Sequence, residues 1–207
     1  MSGFLDSITS KGYSIVNVLD HAEIIPFVQQ NLKRKTPSAI AYIAVNLALL
    51  CLLVFKFGST SLAMDKSLSN FGLGVFACVL LIPVHEFIHG CVYSLLGAKS
   101  VSYKAHIRKF VFYAMADKFV VNARQFRLVA IAPFLIITIL LMVGFVFASE
   151  PGKFIILGTL LLHTGACSGD FGLMSYFDSM SEFEMITYDD QSDGKSYFLK
   201  RHIAGIS

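Results

Sequence analysis

Four long apolar runs constrain what this chain of 207 residues can fold into more than any other feature of its sequence. They extend over residues 39–55, 71–96, 126–148 and 154–177. A helix needs about 20 apolar residues to cross the hydrocarbon core of a bilayer. Charged residues make up only 15% of the chain, whereas about 25% is usual in soluble domains. The sequence therefore predicts an all-α integral membrane protein with about four transmembrane helices, whose first partner is the lipid bilayer.

The lysines and arginines predict how these helices are oriented. A basic cluster at residues 33–35 precedes the first run, and six basic residues follow the second run: Lys99, Lys104, Arg108, Lys109, Lys118 and Arg124. Loops that stay in the cytoplasm are enriched in lysine and arginine. We therefore expect a multi-pass protein of the cell membrane with both termini in the cytoplasm. The net charge of +3 is too small to indicate binding to nucleic acid.

The polar segments suggest three parts. Residues 1–37 are expected to form a cytoplasmic N-terminal segment without the features of a signal peptide. Residues 38–177 form the membrane domain, and residues 178–207 a hydrophilic cytoplasmic tail. Between the second and third runs, residues 101–108 alternate in polarity, and residues 109–121 are rich in Phe, Tyr and Val. Alternation with a period of two is typical of strands, so we predict a small cytoplasmic β-hairpin there.

Ionisable groups inside an apolar run are costly, and this chain has five of them: His85, Glu86, His89, His163 and Asp170. The first three form the pattern H-E-x-x-H. Residues four apart lie on one face of a helix, so His85 and His89 can bind one zinc ion. Zinc lowers the pKa of a bound water to about 7, and Glu86 is placed to accept its proton as general base. The alternative is a buried polar network that holds helices together.

Asp170 in the fourth run is the candidate for a third zinc ligand. A catalytic zinc site needs three protein ligands and an open position, and an isolated carboxylate in an apolar helix otherwise needs another reason to be there. Gly165, Gly169 and Gly172 remove side-chain bulk around it, so we expect the second and fourth helices to approach closely there. The alternative is a hydrogen bond between packed helices.

His163 lies seven residues before Asp170, about 10 Å away along an unbroken helix. We therefore expect it outside the ligand set, where it could support a ligand from behind or line a path for water. A satisfied core histidine is the alternative. The cysteines are expected to be small buried hydrophobes, although Cys167 shares a helix face with Asp170 and offers a soft ligand.

Two prolines are expected to loosen the helices that contain them. Pro83 removes the usual hydrogen-bond partner of the Val79 carbonyl. Pro133 can act in the same way in the third run and open access for water. Residues 101–121 could pair with an unwound substrate, since proteolysis requires an extended backbone.

These motifs resemble the site-2 protease class of intramembrane zinc metalloproteases. The motif at 85–90, Ala132-Pro133 and Gly169-Asp170 are more closely similar to a bacterial family of membrane proteins described as zincin peptidases. The similarity covers about residues 70–180. It implies that His85, His89 and Asp170 bind zinc and that Glu86 activates water. Gly169 stands where the site-2 class usually has leucine.

The sequence thus predicts zinc-dependent hydrolysis of peptide bonds within or beside the membrane, on a protein or peptide substrate that is itself membrane-anchored. Two alternatives belong to other functional classes. One is a zinc-binding membrane scaffold or regulator without catalysis. The other, ranked last, is a metal transporter, for which His163 is the one additional intramembrane group that could extend a path.

Overall fold

The computed structural model of the protein describes residues 2–106 and 111–202. The helices are α1 (Ser2–Thr9), α2 (Ile24–Leu32), α3 (Pro37–Ser59), α4 (Met64–Cys78), α5 (Ile82–Leu95), α6 (Ala123–Phe147), α7 (Glu150–Ala166) and α8 (Ser168–Asp178). The strands are β1 (Ser14–Asp20), β2 (Ser102–His106), β3 (Val111–Met115), β4 (Val121–Asn122), β5 (Phe183–Asp190) and β6 (Lys195–His202). Short 3-10 helices at His21–Glu23 and Val79–Leu81 complete the fold.

Four helical segments are long and apolar enough to cross a membrane, which confirms the predicted number. They extend over Pro37–Ser59, Met64–Leu95, Ala123–Phe147 and Glu150–Asp178. The first begins where the Thr36 side chain accepts a hydrogen bond from the Ala39 amide, and the third begins at a capping box of Asn122 and Gln125. Capping of this kind satisfies backbone amides that the first helical turn leaves free.

The loop between the first two spans is shorter than the polar composition of residues 56–70 suggests. Helix α3 continues to Ser59 and α4 begins at Met64. Lys56 stays in the helix because its ammonium lies 2.6 Å from Glu150 at the start of the fourth span. Because the Lys56 charge is paired with a carboxylate, it can remain within the last turns of the helix.

The second and fourth spans each consist of two helices in sequence. Before Pro83, the Ile82 amide donates to the Val79 carbonyl in a 3-10 turn, as expected where proline removes the α-helical partner. In the fourth span, Cys167 has ψ of 4° and separates α7 from α8. The hydropathy of the fourth run contains no signal for this break.

Two glycines bring the second and fourth spans together, and they are not the predicted ones. A Cβ atom on Gly74 would lie 1.9 Å from the Ile155 carbonyl oxygen, and one on Gly158 would lie 2.2 Å from the Phe71 carbonyl oxygen. Apart from the adjoining residues and backbone of their own helices, the described chain has no atom within 4 Å of such a Cβ at Gly165 or Gly169. Gly172 faces Val28 in α2. The prediction of close helix approach at the glycines around Asp170 is therefore wrong, because sequence spacing does not identify the neighbour that a helix face meets.

The predicted hairpin is present, with β2 and β3 antiparallel and Ser102 opposite Met115. Its connection at residues 107–110 lies outside the described residues. The segment expected to be a hydrophilic tail forms the antiparallel strands β5 and β6, in which Phe183 lies opposite His202. Residues 203–207 of that segment lie outside the described residues. The all-α prediction therefore needs correction.

The second sheet is antiparallel with strand order β1-β6-β5-β4. One face packs against Ile8 of α1, and the other contributes Met185 and Phe198 to the core at the helix ends. Because both faces are covered, the central residues of β5 are buried in succession, and the alternation that marks a half-exposed strand is weak. The sheet gathers strands from the N-terminal segment, the middle segment and the C-terminal segment at one end of the helices.

The faces that the long helices turn away from the core are apolar. Side chains exposed by between 69% and 84% include Phe55, Phe76, Leu80, Val146 and Phe147. A soluble protein rarely exposes a continuous apolar surface of this extent. These faces are suited to contact lipid.

We expect Gly158→Ala to destabilise the protein, because its new methyl group must displace the backbone at Phe71. Overpacking of this kind costs about 1–3 kcal/mol. Thermal unfolding in detergent should show a lower Tm for this variant than for the wild type. Gly165→Ala is the matched control, for which we expect an unchanged or higher Tm because its methyl group meets open space. Equal stability of the two variants would contradict the close approach at Gly158.

Candidate metal centre

Helix α5 and helix α8 bring the three predicted metal ligands together. His85 and His89 lie one turn apart, and their Nε2 atoms are 3.0 Å from each other. Asp170, in the first turn of α8, places Oδ2 3.2 Å from His85 Nε2 and Oδ1 3.3 Å from His89 Nε2. The three side chains are 14%, 9% and 17% exposed, respectively. A small, mostly buried cluster of electron-pair donors results.

The spacing of these donors fits a zinc ion. Bonds of 2.0–2.1 Å at tetrahedral angles separate neighbouring ligand atoms by about 3.3 Å. The three distances in this cluster, from 3.0 to 3.3 Å, lie close to that value. Two imidazole nitrogens and one carboxylate are also a ligand set found in catalytic zinc sites, which keep the fourth position open.

The tautomer of His89 follows from its second ring nitrogen. His89 Nδ1 lies 2.8 Å from the Val129 carbonyl oxygen. Because a carbonyl only accepts, Nδ1 carries the proton, and in the neutral ring Nε2 presents a lone pair. That lone pair faces a carboxylate oxygen of Asp170, which is also an acceptor. Two acceptors at this distance require a proton or a cation between them.

A proline in α6 leaves free the Val129 carbonyl that orients His89. In a regular helix the Val129 carbonyl accepts a hydrogen bond from the amide of residue 133, but Pro133 has no amide hydrogen. The carbonyl is therefore free to accept from His89. The sequence marked Pro133 as a site of water access and missed this role. Its position four residues after Val129 is the signal that could have revealed it.

Glu86, the predicted general base, lies beside the cluster. Its Oε2 atom is buried and has no hydrogen-bond partner among the described residues. The carboxylate also contacts the backbone of Ala114 in β3, and since a carboxylate only accepts, the Ala114 amide is the donor. An unpartnered oxygen next to three electron-pair donors is free to accept a proton from a group bound there.

A cavity of about 170 Å³ opens from this cluster toward the sheets. Its walls include His85, Glu86, His89 and Asp170 at one end, and residues 112–115 of the hairpin along one side. At the other end lie His21, Asp189 and Ser196, which the sequence analysis did not identify. These three come from the N-terminal and C-terminal segments, so only the folded sheet places them at the cavity.

The polar end of the cavity is internally hydrogen-bonded. Ser196 donates to Asp189 over 2.5 Å, so its single proton is used and the His21 Nε2 atom at 3.1 Å is the donor to Ser196. Tyr113 stacks edge-on against His21. Burial, together with the negative charge of Asp189, raises the pKa of Tyr113 above its ordinary value.

His163 lies next to the cluster but outside the group formed by His85, His89 and Asp170. Its ring centroid is 5.7 Å from that of His85. The sequence placed it outside the ligand set as well, and its role stays a prediction. Glu184, another acidic residue of the C-terminal segment, is bound to Tyr13 and Arg201 on the exposed side of the sheet.

Comparison with known proteins finds a family whose sequence model matches this chain. The sequence model of a family described as "putative zincin peptidase" matches residues 78–182. The match covers half of the chain and includes the H-E-x-x-H helix, the hairpin, α6 and Asp170. No curated protein and no solved structure shows a significant match. From the extent of the family match we conclude that this chain belongs to the family described as "putative zincin peptidase".

Proposed function

We propose that the protein is a zinc metallopeptidase of the H-E-x-x-H type that cleaves peptide bonds within or beside the membrane, in the manner of site-2 proteases. One observation carries this proposal. The His85, His89 and Asp170 donors converge at 3.0–3.3 Å beside an unpartnered oxygen of Glu86. Membership of a zincin peptidase family supports the same reaction.

His85, His89 and Asp170 would hold the zinc ion. When bound, zinc lowers the pKa of water to about 7 and polarises a substrate carbonyl. Val129 holds the His89 ring in the orientation in which Nε2 faces Asp170. Outer hydrogen bonds of this kind orient metal-binding histidines and raise their basicity.

Glu86 would move the proton of the reaction. Its free Oε2 accepts a proton from the attacking water while the new C–O bond forms. The same carboxyl group then donates that proton to the amine nitrogen as the C–N bond breaks. The contact with the Ala114 backbone keeps the carboxylate directed to the cavity during both transfers.

Strand β3 is suited to align an extended substrate. Residues 112–115 border the cavity, and within the described residues β3 forms a ladder with β2 alone. On its second edge the Ala114 amide already donates to Glu86, so a peptide backbone would pair with the remaining groups of that edge, in the way that a peptide adds to a sheet as another strand. We infer a protein or peptide substrate that is anchored in the membrane and is locally extended where it is cut.

We also propose that the protein is a multi-pass protein of the cell membrane with both termini in the cytoplasm. The apolar outward faces of the four long helices support insertion. The sheet holds the basic middle segment and both terminal segments at the same end of the helices. Basic residues favour the cytoplasmic side, so the cavity would open there.

The ligand assignment predicts a specific pattern of zinc content. Purified wild-type protein should contain about one zinc ion per chain, and His85→Ala, His89→Ala and Asp170→Ala should lose it. Glu86→Gln should keep the zinc but cleave membrane-anchored test peptides at least about 100-fold more slowly, because it lacks the general base. Zinc by elemental analysis and cleavage by mass spectrometry provide the measurements.

Glu182→Gln is the control for that experiment, since Glu182 is exposed and is not among the residues that line the cavity. It should keep both the zinc and the activity. Stoichiometric zinc without cleavage of any test peptide by the wild type would instead favour a scaffold or regulator. Full activity in Glu86→Gln would remove that residue from the mechanism.

The role assigned to Pro133 can be tested on zinc affinity. Pro133→Ala restores an amide that competes with His89 for the Val129 carbonyl, so we expect zinc to bind about 10–100-fold more weakly. Competition with a chelator of known affinity measures the change. Pro151→Ala is the matched control, because Pro151 lies in the first turn of α7, where no helical partner for its amide exists. An unchanged affinity in Pro133→Ala would show that the proline does not support His89.

Reporter fusions test the proposed orientation. Green fluorescent protein fused after Ser207 should fluoresce, because it folds in the cytoplasm. Alkaline phosphatase inserted after Ser61, in the loop between the first two spans, should be active outside the cytoplasm. The opposite pattern would reverse the orientation derived from the basic residues.

A further inference from the structure

A second group of metal-binding side chains lies on the other side of His85. The donor atoms of His85, His163 and Cys167 all lie within 4.8 Å of one another. His163 and Cys167 are 3% and 0% exposed. Neither residue takes part in the proposed peptidase mechanism, and no spacing in the sequence predicts that the two lie next to His85.

The local structure orients His163 and Cys167 toward each other. They are one turn apart at the end of α7, with His163 Nε2 3.9 Å from Cys167 Sγ. The His163 ring also donates a hydrogen bond to the Phe134 backbone carbonyl. His89 is held in the same way by Val129 in the same helix. A backbone carbonyl that binds one ring nitrogen and leaves the other free is a usual arrangement for metal-binding histidines.

A second cavity of about 120 Å³ lies beside this group. Its lining includes His85, Glu86, His163 and the buried thiol Cys78, whereas Cys167 is not among the residues that border it. Leu81, in the 3-10 turn that interrupts the second span, also borders the cavity. The group of donors itself combines two imidazoles and one sulfur, whereas the first centre contains a carboxylate. Sulfur donors favour soft or borderline ions such as Cd²⁺, Cu⁺ and Zn²⁺.

We propose that His85, His163 and Cys167 form a second binding position for a thiophilic metal ion. A neutral imidazole has one lone pair for coordination, so His85 serves one ion at a time. An ion at the second position therefore competes with an ion at the first for this residue. Occupation of the second position would silence the peptidase, a consequence that rests on the proposed function, whereas the binding itself does not.

Titration of metal-free protein with Cd²⁺ tests this position. The full-length protein in detergent should develop the near-ultraviolet charge-transfer absorption of a thiolate bound to cadmium. Cys167→Ser should bind Cd²⁺ about tenfold more weakly or worse, because it loses the sulfur ligand. Asp170→Asn should bind Cd²⁺ no more weakly than the wild type, although it loses zinc at the first centre.

Further variants separate this proposal from its rivals. His85→Ala should weaken both zinc and Cd²⁺ binding, because both positions use it. Cys51→Ser is the matched control, since Cys51 is exposed on α3, and it should leave the titration unchanged. Retained zinc in Cys167→Ser verifies that the variant is folded.

The proposal is overturned if the wild type shows no charge-transfer absorption, if Cys167→Ser titrates like the wild type, or if His85→Ala leaves Cd²⁺ binding intact. Failure of the proposed peptidase centre would give a different result, namely zinc retained in the double variant Asp170→Asn/Cys167→Ser, which lacks one ligand of each position. The two proposals can therefore fail independently.

Discussion

Three electron-pair donors that meet in an apolar interior are the constraint on which the rest of this structure depends. The Nε2 atoms of His85 and His89, on one helix, lie 3.0 Å apart, and each lies within 3.3 Å of a carboxylate oxygen of Asp170 on another helix. Such groups are costly to bury unless a proton or a cation joins them. The break in the second span before His85 and the break in the fourth span before Asp170 lie next to this cluster, so regular helix gives way where the donors must converge.

Helix α6 contributes no ligand, yet it orients two of the imidazoles. Its Val129 carbonyl binds His89, and its Phe134 carbonyl binds His163. The first of these carbonyls is free because Pro133 removes its helical partner. A proline that weakens an isolated helix thus stabilises the geometry of a neighbouring one. The same helix thereby connects the proposed peptidase centre to the proposed second metal position, which share His85.

The polar segments complete the site from outside the apolar helices. The hairpin places Ala114 against Glu86, and the four-stranded sheet closes the far end of the cavity with His21, Asp189 and Ser196. These three residues lie outside residues 78–182, the part of the chain that the family model covers. Helices α5 to α8 and the hairpin therefore lie in the part of the chain that matches the family, whereas the terminal segments contribute cavity walls outside that part.

By itself, the sequence determined the four apolar spans, the hairpin and the five buried ionisable residues, because hydropathy, alternation and helical spacing are local properties. It also identified His85, His89 and Asp170 as a group, since an apolar span tolerates such residues only when they have partners. Only the tertiary structure decided which glycines bring helices together, that residues 183–202 form strands, and that Val129 and Ala114 orient the site. These depend on contacts between segments far apart in the chain. The position of Pro133 indicates that the Val129 carbonyl is free, but not which side chain binds it.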